Sequence, residues 1–200
     1  MGKECLNILV IEDSKKHAEG MVKSYERAVK AIKDKKLLKE YLGPREITVE
    51  WFKGRQRETV RNDDTFWFYD DTIESDLRKR IASDKKKNTR TGILLDVSLS
   101  KEEYEKASVN DYSGFTMARK IYEKFDSNAG IYIVTSIREF SSQVLRLMGT
   151  QELARRYVSK ELVTEYPSYG VIARTIRYMY CGEILDEKKE DEIDRLLERV

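Results

Sequence analysis

Cysteine, histidine and proline are scarce in this 200-residue chain, with two, one and two copies respectively. Cys5 and Cys181 lie at opposite ends, and His17 is the only imidazole, so neither a disulfide framework nor a structural zinc set can be assembled. No apolar run reaches membrane-spanning length, and Met1-Gly2-Lys3-Glu4 leads into a short strand bearing acids rather than into a signal peptide. The expectation is a cytoplasmic protein without membrane insertion. There is no glycine-rich Walker loop, which removes support for nucleotide hydrolysis. Charge of one sign is also lacking, since the formal net charge is +2. The basic run Lys85-Lys86-Lys87 stands beside Asp84 and reads as a solvated loop, which argues against a nucleic-acid partner.

What is present is a globular composition, 40% hydrophobic and 37% charged with both signs interleaved. The length favours one decorated domain. Leu6 to Ile11 is a short apolar run that stops at Glu12-Asp13-Ser14, the pattern of a buried parallel strand feeding a helix. From Ser14 to about Leu42, Ala18, Met21, Val22, Tyr25, Val29 and Ile32 recur at helical spacing until Gly43-Pro44. Ile47, Val49 and Trp51 alternate as a strand, and Thr65 to Tyr69 repeats that character after Asn62-Asp63-Asp64, which suggests an extended hairpin.

Ile73, Leu77 and Ile81 mark a helix, followed by a polar loop over 84–90 and a buried strand from Gly92 to Val97. A polar stretch from Ser100 to Ser113 reaches Gly114, then Phe115, Ala118, Ile121, Tyr122 and Phe125 mark another helix before the strand Ile131 to Thr135. Val144, Leu145 and Met148 suggest a helix, Tyr157-Val158 a strand, and Val171, Ile172, Ile176 and Met179 a closing helix. Five strands, each followed by a helix, require right-handed crossovers and a parallel sheet covered on both faces, a doubly wound α/β architecture. The domain is expected over 1–182, with insertions at about 53–66 and 100–113, and a helical tail over 183–200 with Ile193, Leu196, Leu197 and Val200 at helical spacing. The expectation is that this remainder carries no output domain.

Ligands of such sheets bind beyond the carboxyl ends of the strands. Those ends carry Glu12 and Asp13, then Asp96, then Thr135 with Ser136, and finally Lys160. In this order and placement the chain resembles the response-regulator receiver family, of the chemotaxis type, in two-component signalling. Ile8-Leu9-Val10-Ile11-Glu12-Asp13-Ser14 is similar to the family's first strand with its acid pair, and Leu94-Leu95-Asp96 to its phosphoacceptor strand. Val134-Thr135-Ser136 and Tyr157-Val158-Ser159-Lys160 match the strands bearing the hydroxyl and the lysine. Glu161 follows Lys160 and Ser100 stands in the loop after Asp96, where the family commonly has prolines.

The resemblance implies a five-stranded flavodoxin-like receiver fold, here stand-alone. It implies a phosphoryl group accepted on Asp96 with Mg²⁺ held by Glu12, Asp13, Asp96 and the Ser98 backbone carbonyl. It further implies that Thr135 and Lys160 assist the transfer and that Thr135 and Tyr157 form the switch. The donor would be a sensor histidine kinase or a histidine phosphotransfer protein, with output through contacts to a downstream protein and with homodimerisation left open. Such a protein is a self-modifying switch rather than an enzyme acting on external substrates.

The residue types suit that chemistry. Carboxylates form acyl phosphates, Mg²⁺ prefers oxygen ligands, and a lysine balances the equatorial oxygens of a transferring phosphoryl group. Two other readings compete: a receiver-like docking module that is never phosphorylated, and a phosphatase with an aspartate nucleophile. The complete set of acids, hydroxyl and lysine argues against the first. Ser98 argues against the second, because haloacid-dehalogenase-like enzymes carry a second aspartate two residues after the nucleophile. Taken singly, Asp13 or Ser14 reads as a helix cap, Lys160 as a surface lysine and His17 as a solvent-facing helix residue.

Overall fold

A computed structural model of the chain describes residues 5–34, 39–54, 56–57, 64–69, 72–97, 99, 114, 116–117, 121, 129–135, 157–183 and 187–197. Its centre is a five-stranded, all-parallel sheet with strand order β2-β1-β5-β6-β7. The strands are β1 (Cys5–Ile11), β2 (Glu46–Trp51), β5 (Thr89–Asp96), β6 (Ala129–Thr135) and β7 (Tyr157–Ser159). Two further strands, β3 (Gln56–Arg57) and β4 (Trp67–Phe68), pair antiparallel with each other. The hairpin expected between residues 47–51 and 65–69 is therefore corrected: β2 lies parallel to β1, and β4 turns back on β3. An alternating apolar pattern specifies a strand and its faces but leaves the partner strand open.

Period-two alternation divides the core. Ile8, Val10, Leu94, Tyr132 and Val134 point to one face, where they meet Ala18, Met21, Tyr25 and Ile32 of α1 (Lys15–Asp34) and Ile172, Ile176 and Met179 of α4 (Tyr169–Cys181). Leu9, Ile11, Ile93, Leu95, Ile131 and Ile133 point to the other, against Leu77 and Ile81 of α3 (Ile73–Lys86). Central strands buried on both sides must be apolar almost throughout, which is why β1 and β5 read as continuous runs. Each fully buried Leu or Ile contributes about 1.5–3 kcal/mol.

The long first helix is realised as α1 and a short α2 (Lys39–Leu42). The loop expected over 84–90 is largely regular structure, because α3 runs to Lys86 and β5 begins at Thr89. Polar composition concealed this, since Asp84 and Thr91 are buried together and hydrogen-bonded. The expected tail contains α5 (Glu187–Leu197), whose Ile193 and Leu197 join the core. Its contact with α4 depends on Gly170, where a Cβ would lie 2.3 Å from the Glu190 carbonyl oxygen. No helix among the described residues is long and apolar enough to cross a membrane.

Candidate functional site

Parallel register sets the site. Ile11 pairs with Leu95, so Glu12 and Asp96 emerge at the same level from neighbouring strands. Val134 pairs with Asp96, and Ser159 with Thr135, which brings Thr135 and the start of the Lys160 turn to the same rim. Ser14 closes the β1 to α1 turn as a cap, its Oγ accepting from the His17 amide at 3.1 Å. The capping role is thus real, and it aims Glu12 and Asp13 at the strand ends. Gly114 packs against the end of β5, its amide donating to the Val97 carbonyl at 2.9 Å. Any Cβ there would stand 2.1 Å from the Asp96 carbonyl oxygen, so only glycine permits this approach.

The predicted acids and lysine converge. One carboxylate oxygen from each of Glu12, Asp13 and Asp96 can be chosen so that all lie within 4.8 Å of one another. Lys160 Nζ sits between two of these groups, 2.8 Å from Glu12 Oε2 and 3.1 Å from Asp96 Oδ2. The lysine is buried, at 6% exposure, and is therefore no surface lysine. Glu12 and Asp13 are inaccessible to solvent, and Thr135 at the end of β6 is buried as well.

Among the described residues three buried carboxyls face one buried ammonium, and the ionisation equilibria follow the imbalance. Burial, reinforced by Glu12 and Asp96, pushes Asp13 up to about 9. Burial and Glu12 push Asp96 up to about 7 against the opposing pull of Lys160. Burial also acts to raise Glu12, but Lys160 and His17 outweigh it and hold this carboxyl below the usual range. Lys160 is moved upward because the two acids beside it exceed its own desolvation. Asp13 Oδ1 accepts from the Ser14 amide at 2.9 Å, whereas the buried Asp13 Oδ2 has no hydrogen-bond partner among the described residues. A buried acceptor without a donor is costly, and a hard divalent cation taking oxygen ligands would satisfy both it and the excess charge.

Several residues that spacing did not single out hold the acid pair. Trp51 Nε1 donates to the Glu12 carbonyl at 2.9 Å. The Tyr69 hydroxyl accepts from the Glu12 amide at 3.2 Å and bonds the Phe52 carbonyl. Burial raises this phenol, so it stays protonated as a donor. His17, expected to face solvent, is half-exposed, but its Nδ1 lies 3.7 Å from Glu12 Oε1. The one legible hint was the aromatic content of Trp51 and Thr65 to Tyr69. Of the other expected site residues, Tyr157 pairs through its backbone with Ile133. Ser98, Ser136, most of the helix from Phe115 to Phe125 and the 100–113 insertion lie outside the described residues.

The arrangement can bind a cation through oxygens and can offer a carboxylate nucleophile beside an ammonium. Comparison with known proteins returned no matching family model, no matching curated protein and no matching solved structure.

Proposed function

We propose that this chain is a receiver of a two-component phosphorelay, taking a phosphoryl group onto Asp96 with Mg²⁺ and signalling through protein contacts. The observation that carries the reading is the Lys160 ammonium bridging Glu12 and Asp96, with Asp13 and its unpartnered oxygen beside them. The strand order supports a flavodoxin-like fold, whose ligands sit at this end of the sheet.

Glu12, Asp13 and Asp96 would hold the ion, and Mg²⁺ when bound would supply positive charge to the phosphoryl oxygens. An Asp96 oxygen attacks phosphorus as the bond to the donor, a phosphohistidine nitrogen or the carboxyl oxygen of acetyl phosphate, breaks. The leaving group keeps that electron pair. Attack requires the ionised carboxylate, which Lys160 favours by lowering the Asp96 equilibrium. Lys160 then stands ready to pair with a phosphoryl oxygen, and the Thr135 hydroxyl to donate to another. Drawing Thr135 toward that oxygen alters the end of β6 beside β7, which couples the charge change to the Tyr157 region.

Incubation with acetyl phosphate and Mg²⁺, followed by intact-mass analysis, tests this. The expected result is one added phosphoryl group, absent in Asp96→Asn and absent without the metal. Continued lack of modification in the intact protein would favour the docking module.

A further inference from the structure

The chain lays its own segment over the acid pair. Residues 64–69 come from about fifty positions downstream of Asp13, and Phe66 forms an antiparallel bridge with Ser14. Backbone bonds flank that bridge: the Trp67 amide donates to the Asp13 carbonyl at 2.8 Å, and the Lys15 amide to the Thr65 carbonyl at 2.9 Å. At one end Asp64 fastens the segment to the start of α1, accepting from the Ser14 hydroxyl and, at 2.9 Å, from the Lys16 amide. At the other, Trp67 meets Trp51 edge to face at 6.4 Å, with Lys53 Nζ 3.7 Å from the Trp67 ring centroid. Tyr69 completes the fastening at Glu12.

Beside this segment lies a cavity of about 500 Å³, lined in part by Lys16, His17, Asp64 and Thr65. His17 borders the cavity and also reaches to 3.7 Å from Glu12 Oε1, so the cavity and the carboxylate cluster share a wall. Of the carboxylates behind that wall, Glu12 and Asp13 are at 0% exposure and Asp96 at 3%. A hydrated cation has no exposed surface of Glu12 or Asp13 to reach without an opening.

We propose that residues 64–69 are a latched cover over the carboxylate cluster, and that the opening of this cover sets the rate at which a divalent cation enters. Lifting Asp64 and Thr65 joins the cavity to the cluster. A two-residue strand pair is marginal by itself, so the cover is drawn from the low-stability end of the fold and is suited to opening locally. The proposal rests on the cation site of the preceding reading, and it concerns the kinetics of entry rather than phosphorylation.

The test is stopped-flow quenching of the two tryptophans by Mn²⁺. Asp64→Ala loosens the latch and is expected to speed entry about tenfold, the scale set by losing one helix-end capping group. The converse variant carries Ser14→Cys and Phe66→Cys in a Cys5→Ser, Cys181→Ser background. These positions form a non-hydrogen-bonded antiparallel pair, with Cα atoms about 4.5 Å apart in the usual geometry, which a disulfide can bridge. Oxidised, this variant is expected to take up Mn²⁺ at least about tenfold more slowly than the same protein reduced. Equal rates in the two redox states, with Mn²⁺ bound at equilibrium in both, would overturn the gate and leave the cation site standing. Absence of equilibrium Mn²⁺ binding in the wild-type protein would remove the site and the gate together.

Discussion

Toward the amino-terminal end of the sheet Asp84 is as buried as Asp96 is at the carboxyl end, 3% exposed in each case, yet their surroundings differ in kind. Asp84 accepts from Asn7 Nδ2 at 3.1 Å and from Thr91 Oγ1 at 3.0 Å, and Arg80 Nε lies 3.3 Å from its other oxygen. Asn7 is itself satisfied by Thr48 and Glu50. Both oxygens of Asp84 thus face donors or a cation, Arg80 Nε being an ion-pair partner without a hydrogen bond of its own among the described residues, and the cluster joins β1, β2, β5 and α3 as a structural clamp. Among the described residues the Asp96 cluster has three acids to one ammonium, and an acceptor without a donor. Burial of polar groups thus separates into two kinds, and residual charge is what distinguishes a site from a strut.

The largest expected effect comes from pH in metal-free protein. Asp13 and Asp96 bind protons more tightly folded than unfolded, with pKa values raised from 3.8 to about 9 and about 7. The folded state therefore holds more protons across that window, and stability must fall as pH rises from about 5 to about 9. Glu12, shifted downward, changes stability below this window, and Lys160, shifted upward from 10.5, changes it above. Thermal melting without metal should show a decline of about 10 °C or more over the window. Millimolar Mg²⁺ should restore most of it; a flat profile would mean that the acids carry no excess charge.

Next in size is Lys160→Met, which strips the cluster of its ammonium and should cost about 3–5 kcal/mol in urea unfolding at neutral pH. The two clusters should then respond with opposite signs to loss of one acid. Asp13→Asn relieves repulsion and should stabilise metal-free protein by about 1–3 kcal/mol while flattening the pH profile. Asp84→Ala leaves Thr91 Oγ1 and one of the two Asn7 amide hydrogen bonds without an acceptor and should destabilise by about 1–3 kcal/mol. Equal signs for the pair would erase the distinction drawn above. Smallest is Trp51→Phe, which removes the donor to the Glu12 carbonyl and should cost about 1 kcal/mol in the same assay.

Much of this was legible from the chain itself because strand ends announce themselves. Apolar runs such as Leu6 to Ile11 terminate in charge, and parallel register turns a list of strand-end residues into a cluster, as it did for Glu12, Asp96 and Lys160. The cover was not legible, because it depends on contacts such as Tyr69 with Glu12, 57 positions apart, that no local period encodes. Thr65 to Tyr69 did look like a strand, but its docking onto Ser14 follows from backbone bonds, which any sequence can make. His17 is partly solvent-facing, as expected, and its approach to Glu12 was hidden for a related reason: a residue early in α1 has an exposed flank and also a reach back over the preceding turn.

The most direct test is a Mg²⁺ titration of wild-type protein and Asp13→Asn at neutral pH, followed through Trp51, whose indole is bonded to Glu12. The account predicts a saturable, one-to-one change at millimolar Mg²⁺ in the wild type and its loss in the variant. An unresponsive wild type, or identical curves for the two proteins, would contradict it.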